Sequence, residues 1–197
     1  MKKIEIIWRE LLFQTIEKKN RQFTQKELAA KFGFSTSTVF QALKIPRKAG
    51  AVRVTGRYFT LEDAEKLLYY WASVRNLEKE IMLFTHTNLS PFEIEAAMPQ
   101  DVVFGGFTAA YKILNGKAPA DYDTVYVYAA NLPEIKRRFE IQKGKANLMV
   151  LKPDHFLNSY GEVTTLGQTF VDLWNIPTWY AKEYLKSIKE KIDELLS

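Results

Sequence analysis

The stretch Phe23–Leu61, FTQKELAAKFGFSTSTVFQALKIPRKAGAVRVTGRYFTL, holds the pattern that decides the first part of the fold. Its "TQKE" (24–27) is a capping-box pattern, in which a hydroxyl caps a helix start and a carboxylate reaches back. Leu28 and Phe32 lie four apart, on one face of the helix that follows. Gly33 suits the left-handed position that closes such a helix. Ser35 can cap a third helix carrying Val39, Ala42 and Leu43 inward. Pro46 is expected to end or kink that helix at about Ile45, because the residue before a proline is pushed out of the helical region. "AVRVTGRYF" (51–59) then gives two short β-prone runs about Thr55-Gly56, the pattern of a hairpin.

Working outward, Ile4, Ile7, Trp8, Leu11 and Leu12 recur at helical spacing, so residues 3–19 read as an amphipathic helix. Downstream, Thr60 can cap a helix with Glu62 and Asp63 in its first turn, continuing through "AEKLLYYWASV". A boundary is expected near residues 75–78, dividing the chain into domains 1–75 and 76–197. The second part alternates. "EIMLFT", "DVVFGG", "TVYVYA" and "ANLMVL" read as strands. "SPFEIEAAM", with Pro91 at its first position, "FTAAYKILN", stopped by Gly116, and "LPEIKRRF" read as helices between them. Two helical segments end the chain. In the last, Ala181, Leu185, Ile188, Ile192 and Leu195 form one apolar stripe, read as core packing. Trp174, Trp179, Tyr180 and Tyr184 are read as core or, alternatively, as an aromatic ligand pocket.

The 197 residues are 47% hydrophobic and 14% aromatic, enough for a real core. No apolar run approaches a membrane span, and Glu5, Arg9 and Glu10 interrupt any signal-like start, so the expected compartment is the cytoplasm. With no cysteine there is no disulfide framework and no thiolate chemistry. Residues 1–60 hold 13 Lys and Arg against 4 Asp and Glu, a balance of +9, whereas the rest carries −4. A basic first third suits a polyanion, because each neutralised phosphate releases counterions.

Opposite the inward face of the third helix lie Ser35, Thr36, Ser37, Thr38, Phe40, Gln41 and Lys44. Arg47 and Lys48 continue this basic edge, and Arg53 and Arg57 flank the hairpin turn. Hydroxyls, an amide and cations are the groups that bond phosphates and base edges. Gln41 can pair with adenine. Phe40 either touches a thymine methyl or packs against the first helix. Over residues 4–60 the sequence resembles winged helix-turn-helix transcriptional regulators, with Pro46 as a departure, since many relatives continue the recognition helix there. The resemblance implies duplex-DNA binding and, as in many such regulators, a homodimer on two half-sites.

In "VVFGGFTAAYKILNGKAPADYDTVYVYA" (102–129), Gly105-Gly106 followed by Asp121 and Asp123 resembles the nucleotidyltransferase signature. That resemblance implies glycines against a nucleoside triphosphate and carboxylates holding Mg²⁺. Against it, the later strand has no third carboxylate before Asp154, and two aspartates in a proline-containing loop are routine turn residues. Across most of the chain, the order "FGGFTAAYKILNG", "DTVYVYAAN", "IKRRFEIQKGKANLMVLKP", "VTTLGQTFVDLW" resembles the AbiEi family of type IV antitoxins. This implies an autorepressor that antagonises a nucleotidyltransferase-like toxin. The expected architecture is therefore α+β or α/β. A winged helix-turn-helix precedes a small nucleotidyltransferase-like sheet with flanking helices and a C-terminal helix. The expected protein is not an enzyme and has no cofactor, the alternative being a winged-helix-guided nucleotidyltransferase. Lys136, Arg137 and Arg138 with Lys143 and Lys145 are read as a solvated face, the alternative being a further phosphate contact. His86 and His155 stand in no metal-ligand spacing.

Overall fold

Local chemistry sets the first seven elements of the computed structural model, which describes residues 1–197. They are α1 (Lys3–Glu17), β1 (Gln22–Phe23), α2 (Gln25–Phe32), α3 (Thr36–Lys48), β2 (Val52–Thr55), β3 (Tyr58–Leu61) and α4 (Ala64–Val74). Thr24 Oγ1 caps α2 by accepting the Glu27 N–H at 3.1 Å, and donates in turn to the Glu27 carboxylate. Gly33 follows at φ 61°, the left-handed conformation that turns the chain from α2 into α3. The strands pair antiparallel in the order β1-β3-β2, with Phe23 opposite Phe59 and Thr55 opposite Tyr58.

Three expectations change here. Helix α3 does not end at Ile45; Pro46 sits inside it and the helix runs to Lys48. A proline there cannot donate to the Ala42 carbonyl, one turn back. The Trp8 indole N–H of α1 donates to that carbonyl at 2.7 Å instead, so the orphaned acceptor is satisfied across the helix–helix contact. Thr60 belongs to β3, and Asp63 caps α4 by accepting the Lys66 N–H at 2.9 Å. Helix α1 is not amphipathic: Glu5 to Leu12 are buried all round, because α1 packs on α3 and α4 and also on the two C-terminal helices.

The remainder comprises β4 (Ile81–Thr85), α5 (Pro91–Ala96), β5 (Val103–Gly105), α6 (Gly106–Ile113), β6 (Val125–Tyr128), α7 (Leu132–Arg138), β7 (Leu148–Leu151), α8 (Leu166–Trp174) and α9 (Ala181–Leu196). Short 3-10 turns span Glu78–Glu80 and Leu157–Tyr160. The chain is thus a mixed α+β protein with two small sheets. The second sheet runs β4-β7-β6-β5, with β6 and β7 parallel and both flanking pairs antiparallel. Strand β6 is buried at every residue. One face meets the main core through Tyr126 and Tyr128. The other packs Val125 and Val127 with Ile94 and Ile135 of α5 and α7.

The main core holds 40 of the 69 buried residues and runs without a break from α1 to α9 across residue 75. Of the final stripe, Ala181, Ile188 and Ile192 are buried and Leu185 and Leu195 only partly, with Tyr184 filling the seam. Tyr180 and Tyr184 join the core, but Trp174 and Trp179 do not: they are 48% and 76% exposed. No helix is long and apolar enough to cross a membrane.

Candidate nucleic-acid interface

Helix α3 is held from behind. Val39, Ala42, Leu43 and Pro46 are buried against α1, α2, α4 and β2, all within the first 75 residues. That leaves Ser35, Thr36, Ser37, Phe40, Gln41, Lys44, Arg47 and Lys48 exposed, and Thr38 half-buried. Ser35 and Thr38 are committed to the helix start. Ser35 Oγ accepts the Thr38 N–H at 3.2 Å, and the two hydroxyls lie 3.0 Å apart. Phe40 does not pack against α1. It is 48% exposed and lines a groove of about 440 Å³ with Gln25, Leu43, Lys44, Arg47, Lys48 and Val54. A second groove, of about 300 Å³, continues along the hairpin past Lys26, Thr36, Arg57 and Tyr58.

Two kinds of cation stand on this face. Lys44, Arg47, Lys48 and Arg57 form no ion pair within the chain. Arg53 instead meets Glu62 at 3.1 Å, and Glu62 also takes the Thr60 hydroxyl, so Arg53 is already engaged. Gln25, Lys26, Val54 and Tyr58 line the grooves and were not singled out in the sequence. Alternation along the strand puts Val54 on the same hairpin face as buried Val52, but Val54 is exposed beside α3. Tyr58 lies opposite Thr55 at the hairpin tip.

The glycines and one aspartate of the alternative nucleotide site have close partners within the chain. A Cβ on Gly105 would lie 2.9 Å from the Tyr128 ring and 3.8 Å from an Asp172 oxygen, and one on Gly106 3.2 Å from Tyr126. The close approach those glycines permit is taken by the protein's own tyrosines. Asp121 is exposed. Asp123 pairs with Lys145 at 2.6 Å and accepts the hydroxyls of Tyr180 and Thr124. Burial would push the Asp123 carboxyl up, but those bonds outweigh it and bring it down to about 2. No group of three or more His, Asp or Glu side chains is placed to hold a metal ion. On α7, Arg137 and Arg138 both turn back onto Glu134.

The other concentration of charge lies under α1, where the N-terminal elements meet the second sheet. Arg75, 4% exposed, bonds Glu5 at 3.2 Å, Asp172 at 3.3 Å, Glu80 at 3.4 Å and the Tyr128 hydroxyl at 3.1 Å. Tyr128 in turn donates to Asp172 at 2.6 Å. Burial opposes the Arg75 charge, but the acids around it, Tyr128, Asp172, Glu5 and Glu80, more than offset this and hold its pKa above the ordinary value. Burial likewise pushes Asp172 up, against the pull of Arg75 and of the Tyr128 hydroxyl. One turn of α1 on from Glu5, fully buried Arg9 grips both oxygens of Asp154 at 2.7 and 2.8 Å. No family model, curated protein or solved structure matches the chain.

Proposed function

We propose that the protein is a duplex-DNA-binding transcriptional regulator whose first 75 residues form a winged helix-turn-helix. The observation that carries this reading is the outer face of α3, where Lys44, Arg47 and Lys48 stand exposed and without carboxylate partners beside Gln41 and Phe40. Exposed cations lacking intramolecular partners are available to phosphates, and a single helix fits a major groove about 12 Å wide. In this reading Thr36, Ser37, Gln41 and Phe40 meet base edges, Lys44, Arg47 and Lys48 the backbone, and Arg57 at the hairpin tip the flanking groove or phosphate. Two copies bind as a homodimer on paired half-sites. The antitoxin reading extends this one: the chain represses its own promoter and counters a nucleotidyltransferase-like toxin.

Selection of binding sites from a random duplex pool, followed by titration at several salt concentrations, tests the reading. A selected motif, bound with a steep salt slope, is the expected result. Absence of salt-dependent binding to any duplex would discard it. Co-expression with a nucleotidyltransferase-like toxin encoded beside it tests the antitoxin extension, which expects rescue of growth.

A further inference from the structure

A groove of about 430 Å³, separate from those on the α3 face, is lined by Met82, Ala130, Lys152, Pro153, Asp154, His155 and Asn158. Its position is set by topology. Strands β6 and β7 are parallel neighbours, and Ala130 and Lys152 lie just beyond their carboxyl ends. Ligands of α/β sheets gather in the crevice outside the carboxyl ends of parallel strands. The size suits a small molecule. Its chemistry suits an anion with a carbon tail. Lys152 and His155 are exposed there, the Asn158 amide donates to the Asp101 carbonyl at 3.4 Å, and Met82, Ala130 and Pro153 give apolar wall. Asp154 does not oppose an anion, because both its oxygens are held by Arg9 and one also accepts the Phe156 N–H.

The segment lining this groove has a second side. Lys152, Pro153 and His155 face the groove, while Phe156 packs edge-on against Phe32 at 4.9 Å and Phe34 at 6.1 Å. Those two residues bracket Gly33, the turn that sets α3 on α2. Asp154 holds Arg9 of α1, whose guanidinium lies 4.7 Å over the Tyr160 ring. Tyr160 donates to Glu10, and Glu10 pairs with Lys31 of α2. A single five-residue stretch thus forms the wall of the groove and the support of the α2–α3 turn.

We propose that this groove binds a small aliphatic carboxylate, and that its occupancy is felt at the α2–α3 turn and so regulates DNA binding. The carboxylate sits between Lys152 and His155, with its chain along Met82 and Pro153. The regulatory consequence rests on the DNA-binding reading; the site and its coupling to the turn do not.

The full chain, labelled in its methionine methyl groups and backbone amides, is titrated with hexanoate and followed by NMR. Met82 is one of only four methionines, so its methyl signal is readily assigned. A saturable shift of the Met82 methyl accompanied by shifts at the Gly33 and Phe34 amides, both lost in Lys152→Ala/His155→Ala, is expected. Phe156→Leu is expected to keep the Met82 shift and weaken those at Gly33 and Phe34. An unmoved Met82, an equal response to hexanol, or a response that survives Lys152→Ala/His155→Ala overturns the site. Displacement of hexanoate by inorganic phosphate overturns the carboxylate class. A Met82 shift with silent Gly33 and Phe34 overturns the coupling. Saturating hexanoate is further expected to change duplex affinity about five-fold or more, a change absent in Lys152→Ala/His155→Ala. An unchanged affinity for a duplex that does bind overturns the regulation, whereas a chain that binds no duplex defeats the DNA reading and leaves the NMR result to decide the site.

Discussion

The arginines and lysines of this protein fall into two regions that treat the same charge in opposite ways. Under α1, Arg9 and Arg75 are buried and each is paired with carboxylates, Arg9 with Asp154 and Arg75 with Glu5 and Asp172. Along α3, Lys44, Arg47 and Lys48 face water with no carboxylate to meet. A buried ion cannot be left alone, because water no longer compensates it; an exposed one can, and its unused capacity is then free for a partner. The difference separates cations that build the fold from cations that can serve an outside polyanion.

That contrast is most sharply broken at Arg75. Arg75→Ala strands Glu5 and Asp172 in the junction and is expected to cost about 3–5 kcal/mol in chemical denaturation. A loss below about 1 kcal/mol would mean that water reaches the cluster and that the two regions do not differ in kind. Gly105→Ala drives a methyl into the Tyr128 ring and is expected to cost about 1–3 kcal/mol by the same measurement. Trp8→Phe removes the donor that satisfies Ala42, leaving an acceptor with neither proline nor indole to serve it. About 1–3 kcal/mol should be lost, with hydrogen exchange accelerating in the last turn of α3.

Lys44→Ala and Arg57→Ala sharpen the other side. Each should leave stability within about 0.5 kcal/mol of the parent while lowering the slope of log affinity against log salt by about 1. Stability that falls while the salt slope holds would place these side chains with the structural cations. The smallest effect concerns pH. The Asp123 carboxyl is lowered in the folded chain to about 2, below its ordinary 3.8, so its pairing contributes stability above about pH 4 that is lost as pH falls toward 2. Asp123 is half exposed, so solvent screens the effect; Asp123→Asn should flatten the acid limb of the melting-temperature profile slightly.

How much of this was legible in the sequence follows from the range of each interaction. The α2 cap, the Gly33 turn, the α3 cap and the hairpin about Gly56 are local and could be read directly, as could the exposed face of α3. Pro46 misled because the rescue of the Ala42 carbonyl comes from Trp8, 34 residues away. That strand β6 is buried on both faces was not legible, because the Tyr126 and Tyr128 rings fill a core made by distant helices and one hydroxyl joins the buried cluster. The glycine pair and the two aspartates suggested a nucleotide site from spacing alone. What lies against those glycines is two tyrosine rings, which no spacing could reveal. The groove at Lys152 had no signal at all, since its residues come from three separate segments.

By itself the sequence determined the four helices and the β2–β3 hairpin of the first 75 residues, though not the short strand β1, and which side of α3 stays wet. Caps, turns and hydrophobic periodicity act over a few residues. Only the tertiary structure decided that α1 is enclosed on all sides, that Arg75 ends a helix inside the protein, and that the wall of the Lys152 groove carries the turn beneath α3. Each of these depends on which surfaces exclude water from one another, and that exclusion exists only once distant segments have packed.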